Sequence, residues 1–263
     1  MHNKLEDIII KTREDLIRRK KQIPLSKLKK LTGKHFNHLN RLFAKAIKNP
    51  KNGSIAIIAE IKLSSPSEKY FGSTENIQAR AKEYEQAGTD AISVVTEKHF
   101  FKGNPAFVRQ IKDAVSLPVL QKDFILDQYQ LFEAKIAGAD SILLIARILS
   151  EKDLVCLVGK TKQLGITPIV EIQNIEDLEK AQASKTEIIA VNARDLDNFK
   201  VSIDNACKLL HRVPNFYTKL GFSGVSKKVD VEKYKKAGAE GVLIGTSLMK
   251  AKNISQSFKE ITL

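Results

Sequence analysis

Glu60 and Lys62 close a run of β-branched and apolar residues, IAIIAEIK at 55–62. A strand turns residues i and i+2 to one face, so a carboxylate and an ammonium leave the end of a buried strand side by side. Such groups are costly there unless they meet something polar, and a substrate is such a partner. Polar residues follow other β-branched runs in the same way. They are Lys122-Asp123-Phe124, Glu171, Asn192 with Arg194 at i, i+2, Ser223-Gly224 and Gly245-Thr246-Ser247. Amino and carboxyl groups gathered in a partly dry pocket have pKa values moved toward neutrality, which suits general acid–base catalysis. Asp123 is expected either to orient Lys122 or to cap the next helix. The small residues at 223–224 and 245–247 precede helices, where backbone N–H groups and the helix dipole hold a phosphate. Ordinary turn chemistry selects the same residue types, and a single charged pair is as well explained by a structural ion pair. Six strand ends meeting at one mouth favour a site.

The elements that must position these groups follow from alternation along the chain. Short apolar runs suited to strands occur at 55–61, 91–95, 118–120, 141–145, 167–170, 188–191, 217–220 and 241–244. Amphipathic helical segments follow them at 77–87, 105–114, 128–137, 151–164, 175–183, 203–211, 229–237 and 254–261. Strands alternating with helices signal a parallel sheet, and eight such pairs make an α/β fold of the (β/α)8 TIM barrel type, one domain over 1–263. In that architecture chemistry gathers at the C-terminal ends of strands, where all the residues named above fall, and the phosphate site follows strands seven and eight. Three joints, at 86–90, 136–140 and 236–240, repeat Ala-Gly before an acidic residue and a strand. Each closes a helix with Gly, and the acids lie on the face of a barrel that serves stability.

Composition narrows the classes further. The net charge of +14 is concentrated in residues 1–51, whose 15 Lys/Arg against 4 Asp/Glu give +11. Ile8, Ile9, Ile10, Leu16, Ile17, Leu25, Leu28, Leu31, Leu42, Phe43 and Ile47 give this segment roughly helical apolar spacing, so 1–50 is expected to be a basic helical N-terminal extension packed on the barrel. Its positive field also attracts phosphorylated anions. No aromatic–basic interleaving of the RNA-binding kind accompanies it, so nucleic acid is not an expected partner. No apolar run approaches the roughly 18–20 residues that cross a bilayer, and the N-terminus does not read as a secretory signal, so a cytoplasmic location is expected. Cys156 and Cys207 are isolated within helical segments, where they read as buried spectators. No metal spacing, Gly-rich dinucleotide pattern or Walker motif is present. No cofactor is expected. His99, after strand two, is a minor site candidate.

The blocks IIAEIKLSSPS, ISVVTEKHFFKG, LPVLQKDFILDQYQLFEAKIAGADSILLIARIL, PIVEIQNIEDLEKA, AVNARDL and GVLIGTSLM, spread over 57–249, resemble the indole-3-glycerol phosphate synthases of tryptophan biosynthesis. LQKDF and EIKxxSPS are the specific parts. The resemblance implies a carboxy-lyase that needs no metal or organic cofactor. It would close 1-(o-carboxyphenylamino)-1-deoxyribulose 5-phosphate to indole-3-glycerol phosphate with loss of carbon dioxide and water. It implies that Lys122 is the general acid on the ketone oxygen, Glu171 an acid/base carboxylate, Glu60 with Lys62 the pair for dehydration and anchoring, and Asn192 an orienting group for substrate hydroxyls. By the same resemblance Ser65, Pro66 and Arg194 contact substrate, Phe101 and Phe124 wall the aromatic ring, and Ser223, Gly224, Gly245 and Thr246 cradle the phosphate. Where the family commonly reads Glu-Ser-Gly at the end of strand seven, this chain reads Phe222-Ser223-Gly224, which implies reduced or rebalanced activity. Two other readings remain: another sugar-phosphate barrel such as phosphoribosylanthranilate isomerase, which relies on a Cys and an Asp, or an impaired barrel serving as a basic binding protein. Association with other enzymes of the pathway is left open.

Overall fold

The computed structural model describes residues 4–33, 42–65, 71, 77–197 and 199–262. Its centre is a closed parallel barrel in which each strand pairs with the next and the last with the first. The strands are β1 (Ala56–Ile61), β2 (Ala91–Val95), β3 (Val119–Lys122), β4 (Ser141–Ile145), β5 (Thr167–Ile172), β6 (Ile188–Asn192), β7 (Thr218–Phe222) and β8 (Gly241–Ile244). Closure runs through the register Ala56↔Gly241 to Ala59↔Ile244. The expected alternation is therefore present, with β5 and β7 each ending two residues further along than expected. Pairing of Ile172 with Val191 and of Asn192 with Phe222 carries these two strands outward and places Glu171 and Phe222 within the ladder.

Alternation along each strand separates two apolar clusters. Ala56, Ile58, Leu120, Ile169, Ala190 and Leu220 fill the barrel interior, whereas Ile57, Ala59, Ile61, Ile92, Val94 and Val170 face the helices. Each large aliphatic side chain so buried contributes about 1.5–3 kcal/mol. Because period 2 continues to the strand ends, the residue after the last interior aliphatic also points inward. That residue is Glu60 on β1, Lys122 on β3, Glu171 on β5, Asn192 on β6 and Phe222 on β7.

The outer helices return the chain from one strand to the next. They are α4 (Ile77–Ala87), α5 (Ala106–Lys112), α6 (Gln128–Ala137), α7 (Glu151–Gln163), α8 (Ile175–Ala183), α9 (Ile203–Arg212), α10 (Lys228–Lys236), α11 (Thr246–Lys250) and α12 (Ile254–Ile261). Asp127 starts α6 with a capping box shared with Gln130, and Gly138 ends it at φ 89°, a left-handed cap that Gly adopts without a Cβ penalty. The acids of the Ala-Gly joints sit at the N-terminal ends of the strands. Asp90 accepts the Lys51 and Ile57 N–H groups at 2.7 and 2.8 Å, and Asp140 accepts the Val119 N–H at 2.8 Å and the Lys112 ammonium at 2.7 Å. Cys207 is half-buried on α9, but Cys156 on α7 is exposed rather than buried, because its helix position faces away from the barrel.

Three helices precede the barrel: α1 (Lys4–Gln22), α2 (Leu25–Leu31) and α3 (Leu42–Lys48). Leu5 and Ile8 of α1 and Phe43 and Ile47 of α3 belong to the interior cluster. The segment after α3 is held to Asp90 ahead of β2, so α3 stoppers the N-terminal end while the start of α1 reaches the opposite mouth. Ion pairs tie α1 to the barrel: Arg19 with Glu133 and Lys20 with Asp127, each at 2.6 Å. Such exposed or half-exposed pairs contribute at most about 1 kcal/mol each, so the buried Leu5, Ile8 and Leu16 carry the attachment. Ile10, Ile17, Leu31 and Leu42 face solvent instead.

Candidate active site

At the C-terminal mouth, Glu60 is 4% exposed and receives two lysines. Lys62 Nζ lies 2.9 Å from its Oε1 and Lys122 Nζ 3.8 Å from its Oε2. Burial pushes the Glu60 carboxyl up, but the two ammonium charges outweigh it and hold the group below the usual carboxylate range. Glu171 is 1% exposed, and its Oε2 has no hydrogen-bond partner among the described residues. Burial dominates there. It raises the Glu171 carboxyl above the ordinary range, against the opposing Lys122 charge and a hydrogen bond from Asn192. The surroundings thus drive the pKa values of two neighbouring carboxylates apart, the pattern that separates the acid and base roles of a site.

These groups line a cavity whose remaining wall is mainly apolar: Leu5 and Ile8 from α1, Phe101, Phe124, Leu143 and Leu196. The Phe101 and Phe124 rings stand 6.4 Å apart between centroids, tilted by 38°. A second cavity adjoins it, lined by Ser223, Gly224, Ser226, Gly245, Thr246 and Ser247. Glu60, Lys62, Arg194 and Ser223 line both. An aromatic chamber and a chamber of small hydroxyl and glycine residues therefore meet at the charged cluster. Lys62 also donates to Thr246 Oγ1 at 3.2 Å, joining the two. Arg194 lies beyond the end of β6, in a single bridge with Val201, and its guanidinium donates to the Phe199 carbonyl at 3.1 Å.

The structure thus brings together Glu60, Lys62, Ser65, Phe101, Lys122, Phe124, Glu171, Asn192 and Arg194 in one chamber and Gly224, Gly245 and Thr246 with Ser223 in the other. Pro66 lies outside the described residues. Asp123 neither orients Lys122 nor caps α6. Its carboxylate accepts the Thr96 hydroxyl at 2.6 Å and its neighbour's N–H at 2.8 Å, and Asp127 caps the helix instead. Asp123 lies in the bend just after β3, where these two bonds hold its carboxylate at the edge of the chamber. His99 pairs with Asp15 of α1 at 2.8 Å and lines a separate cleft rather than the chamber. Phe222, 1% exposed, packs into the interior cluster with Leu220 and Leu243. Apart from Phe101 and Phe124, sequence reasoning missed the apolar walls. Val95, Leu143 and Ile145 were detectable as the inward positions of β2 and β4, but Leu5 and Ile8 carry no local mark of a chamber.

A closed eight-stranded barrel with acid–base groups at its C-terminal mouth defines the class, a (β/α)8-barrel enzyme. Solved structures share this fold: 3-hexulose-6-phosphate synthase from Salmonella typhimurium superposes with a TM-score of 0.64 at 15% identity, covering 79% of this chain and 96% of that one. A chain of the tryptophan synthase complex from Pyrococcus furiosus gives 0.61 at 16% identity, covering 81% and 99%. The family model for indole-3-glycerol phosphate synthase matches residues 5–261. Proteins of that name from Campylobacter hominis and Aliarcobacter butzleri are 38% and 40% identical, the alignments covering 98% and 95% of both partners. The chain belongs to the indole-3-glycerol phosphate synthase family, and with it to the carboxy-lyases of tryptophan biosynthesis. The isomerase alternative needs a cysteine at the mouth, whereas Cys156 and Cys207 both sit on outer helices.

Proposed function

We propose that this chain closes the indole ring of 1-(o-carboxyphenylamino)-1-deoxyribulose 5-phosphate, and that the residues at the mouth divide the work by charge state. The observation that carries the reading is the opposed pair Glu60 and Glu171 on either side of Lys122, at the junction of an aromatic chamber and one lined by small hydroxyl and glycine residues. The carboxyphenyl ring enters against Phe101 and Phe124, and the phosphate lies on Ser223, Gly224, Gly245 and Thr246. Ser65 and Arg194 contact the substrate between them.

The ring carbon that bears the carboxylate attacks the ketone carbon, and Lys122 gives a proton to the ketone oxygen as the new carbon–carbon bond forms. Carbon dioxide then departs, returning its bonding electrons to the ring and restoring aromaticity. Glu171, whose hold on a proton burial strengthens, donates a proton to the departing hydroxyl. Glu60, kept ionised by Lys62 and Lys122, takes the proton released as the indole double bond forms, while Lys62 anchors the substrate. Asn192 orients substrate hydroxyls. The cationic surplus of Lys62, Lys122 and Arg194 matches a substrate carrying a phosphate and a carboxylate. Phe222 leaves one side of this network without a carboxylate, which lowers or redistributes proton transfer without removing it. Among the described residues no helix is long and apolar enough to cross a membrane, and we place the enzyme in the cytoplasm with its phosphorylated substrate.

Mass analysis after incubation with the substrate tests the reaction. A product lighter by one carbon dioxide and one water supports it. An isomer of unchanged mass, or no product, sinks it.

A further inference from the structure

The loop after β2 contains a buried carboxylate that the chemistry above does not use. Glu97 is 3% exposed and accepts three consecutive backbone N–H groups: His99 on Oε1 at 2.8 Å, then Phe100 and Phe101 on Oε2 at 2.7 and 2.9 Å. Its own carbonyl accepts the Gly103 N–H at 2.6 Å, which closes the loop. A Cβ at Gly103 would lie 2.5 Å from the Val95 carbonyl oxygen and the Thr96 carbonyl carbon, so the closure has no room for a side chain. At its base the Thr96 N–H donates to the Lys122 carbonyl at 3.0 Å, which seats the loop on the residue assigned the first proton transfer. At its far side the loop presents Phe101 to the aromatic chamber.

Backbone N–H groups turned inward need acceptors, and this loop has no ladder to supply them. One carboxylate satisfies three of them and fixes the backbone at the residue that carries the ring. We propose that Glu97 is a positioning residue for the reaction: it holds the 99–101 backbone so that Phe101 stands as a fixed wall that aligns the substrate's aryl ring for attack. Without that anchor the loop recovers conformational freedom, and the ring must be ordered again at each binding event. The inference rests on Phe101 meeting the aryl ring, and the test separates the two.

Glu97→Gln keeps the shape but replaces one acceptor oxygen with an NH₂ that faces a backbone donor. Glu97→Gln and Phe101→Leu are each expected to lower kcat/KM about tenfold, and the double variant to fall no further than about the larger single loss, since residues acting through one another are not additive. Amide exchange at 99–101 is expected to speed up in Glu97→Gln while the barrel strands keep their protection. Losses that multiply to about a hundredfold in the double variant overturn the proposal, as does an unchanged kcat/KM in Glu97→Gln. An unchanged Phe101→Leu overturns the wall reading itself, and the proposal with it. If Glu97→Gln does not fold, Glu97→Asp, which keeps the charge but retracts it by one methylene, enters the same cycle with the same outcomes.

Discussion

Gly245 offers the sharpest perturbation of the charged cluster, because it touches none of the ionisable groups covalently. A Cβ built there would lie 2.4 Å from Glu60 Oε1 and 3.1 Å from Lys62 Nζ. Carbon and oxygen settle at no less than about 3.3 Å, so in Gly245→Ala the carboxylate must retreat by about 0.9 Å. It has little space to do so, being 4% exposed and held by Lys62 at 2.9 Å. A misplacement of about 1 Å at a reacting group costs on the order of a hundredfold in rate, or about 2.7 kcal/mol of barrier. Steady-state turnover of Gly245→Ala should therefore show kcat down about a hundredfold. KM should rise as well, because the same residue is assigned to the phosphate cradle, so kcat is the diagnostic constant. Thermal melting of the same sample establishes that the barrel is intact. A folded Gly245→Ala with kcat within about threefold of the parent would refute the argument that Glu60, in this position, takes part in the chemistry.

Three further outcomes follow from particular residues. Burial raises the Glu171 carboxyl above its unfolded value of about 4.3, so the folded protein keeps a proton that the unfolded chain releases, and stability is lost as pH rises from that value toward the raised one. Glu171→Gln, which does not titrate, should be inactive yet melt higher than the parent near neutral pH, with the difference shrinking toward about pH 4; equal melting temperatures throughout would contradict the raised pKa. Phe222→Glu should raise kcat while lowering the melting temperature, since it adds a carboxylate where a ring is 1% exposed; no gain in kcat removes position 222 as a limit on rate. Phe43→Ala empties a fully buried site in the stopper helix α3 and should cost about 3–5 kcal/mol by chemical denaturation, with kcat of the folded protein unchanged because the chemistry is at the other end.

The barrel was readable because its two periodicities are local. Strand runs such as 91–95 and helices such as 128–137 coincide with β2 and α6 to the residue, each bounded by turn or cap residues that act over a few positions. The charged cluster was readable for a related reason: Glu60, Lys122, Glu171 and Asn192 each extend the inward set of their strand by one step, and polar residues there stand out against aliphatic neighbours. The exact strand ends were less readable, since pairing across the ladder carried β7 out to Phe222. Leu5 and Ile8 could not be read at all. Their part in the chamber is set by α1 docking across the mouth, a tertiary contact with no trace in a 19-residue amphipathic helix. Asp123 shows the converse, where a residue beside Lys122 in sequence binds Thr96 and the Phe124 N–H in the bend after β3 rather than Lys122. Glu97 escaped notice because its partners are backbone N–H groups, which every sequence offers.

The central claim is that Lys122, between Glu60 and Glu171, protonates the ketone as the ring closes. Incubating the purified chain and its Lys122→Ala variant with 1-(o-carboxyphenylamino)-1-deoxyribulose 5-phosphate, while following indole fluorescence, tests it most directly. Turnover by the parent with at least about a hundredfold less in a folded Lys122→Ala is the predicted result. A parent signal no greater than that of the variant would contradict the account.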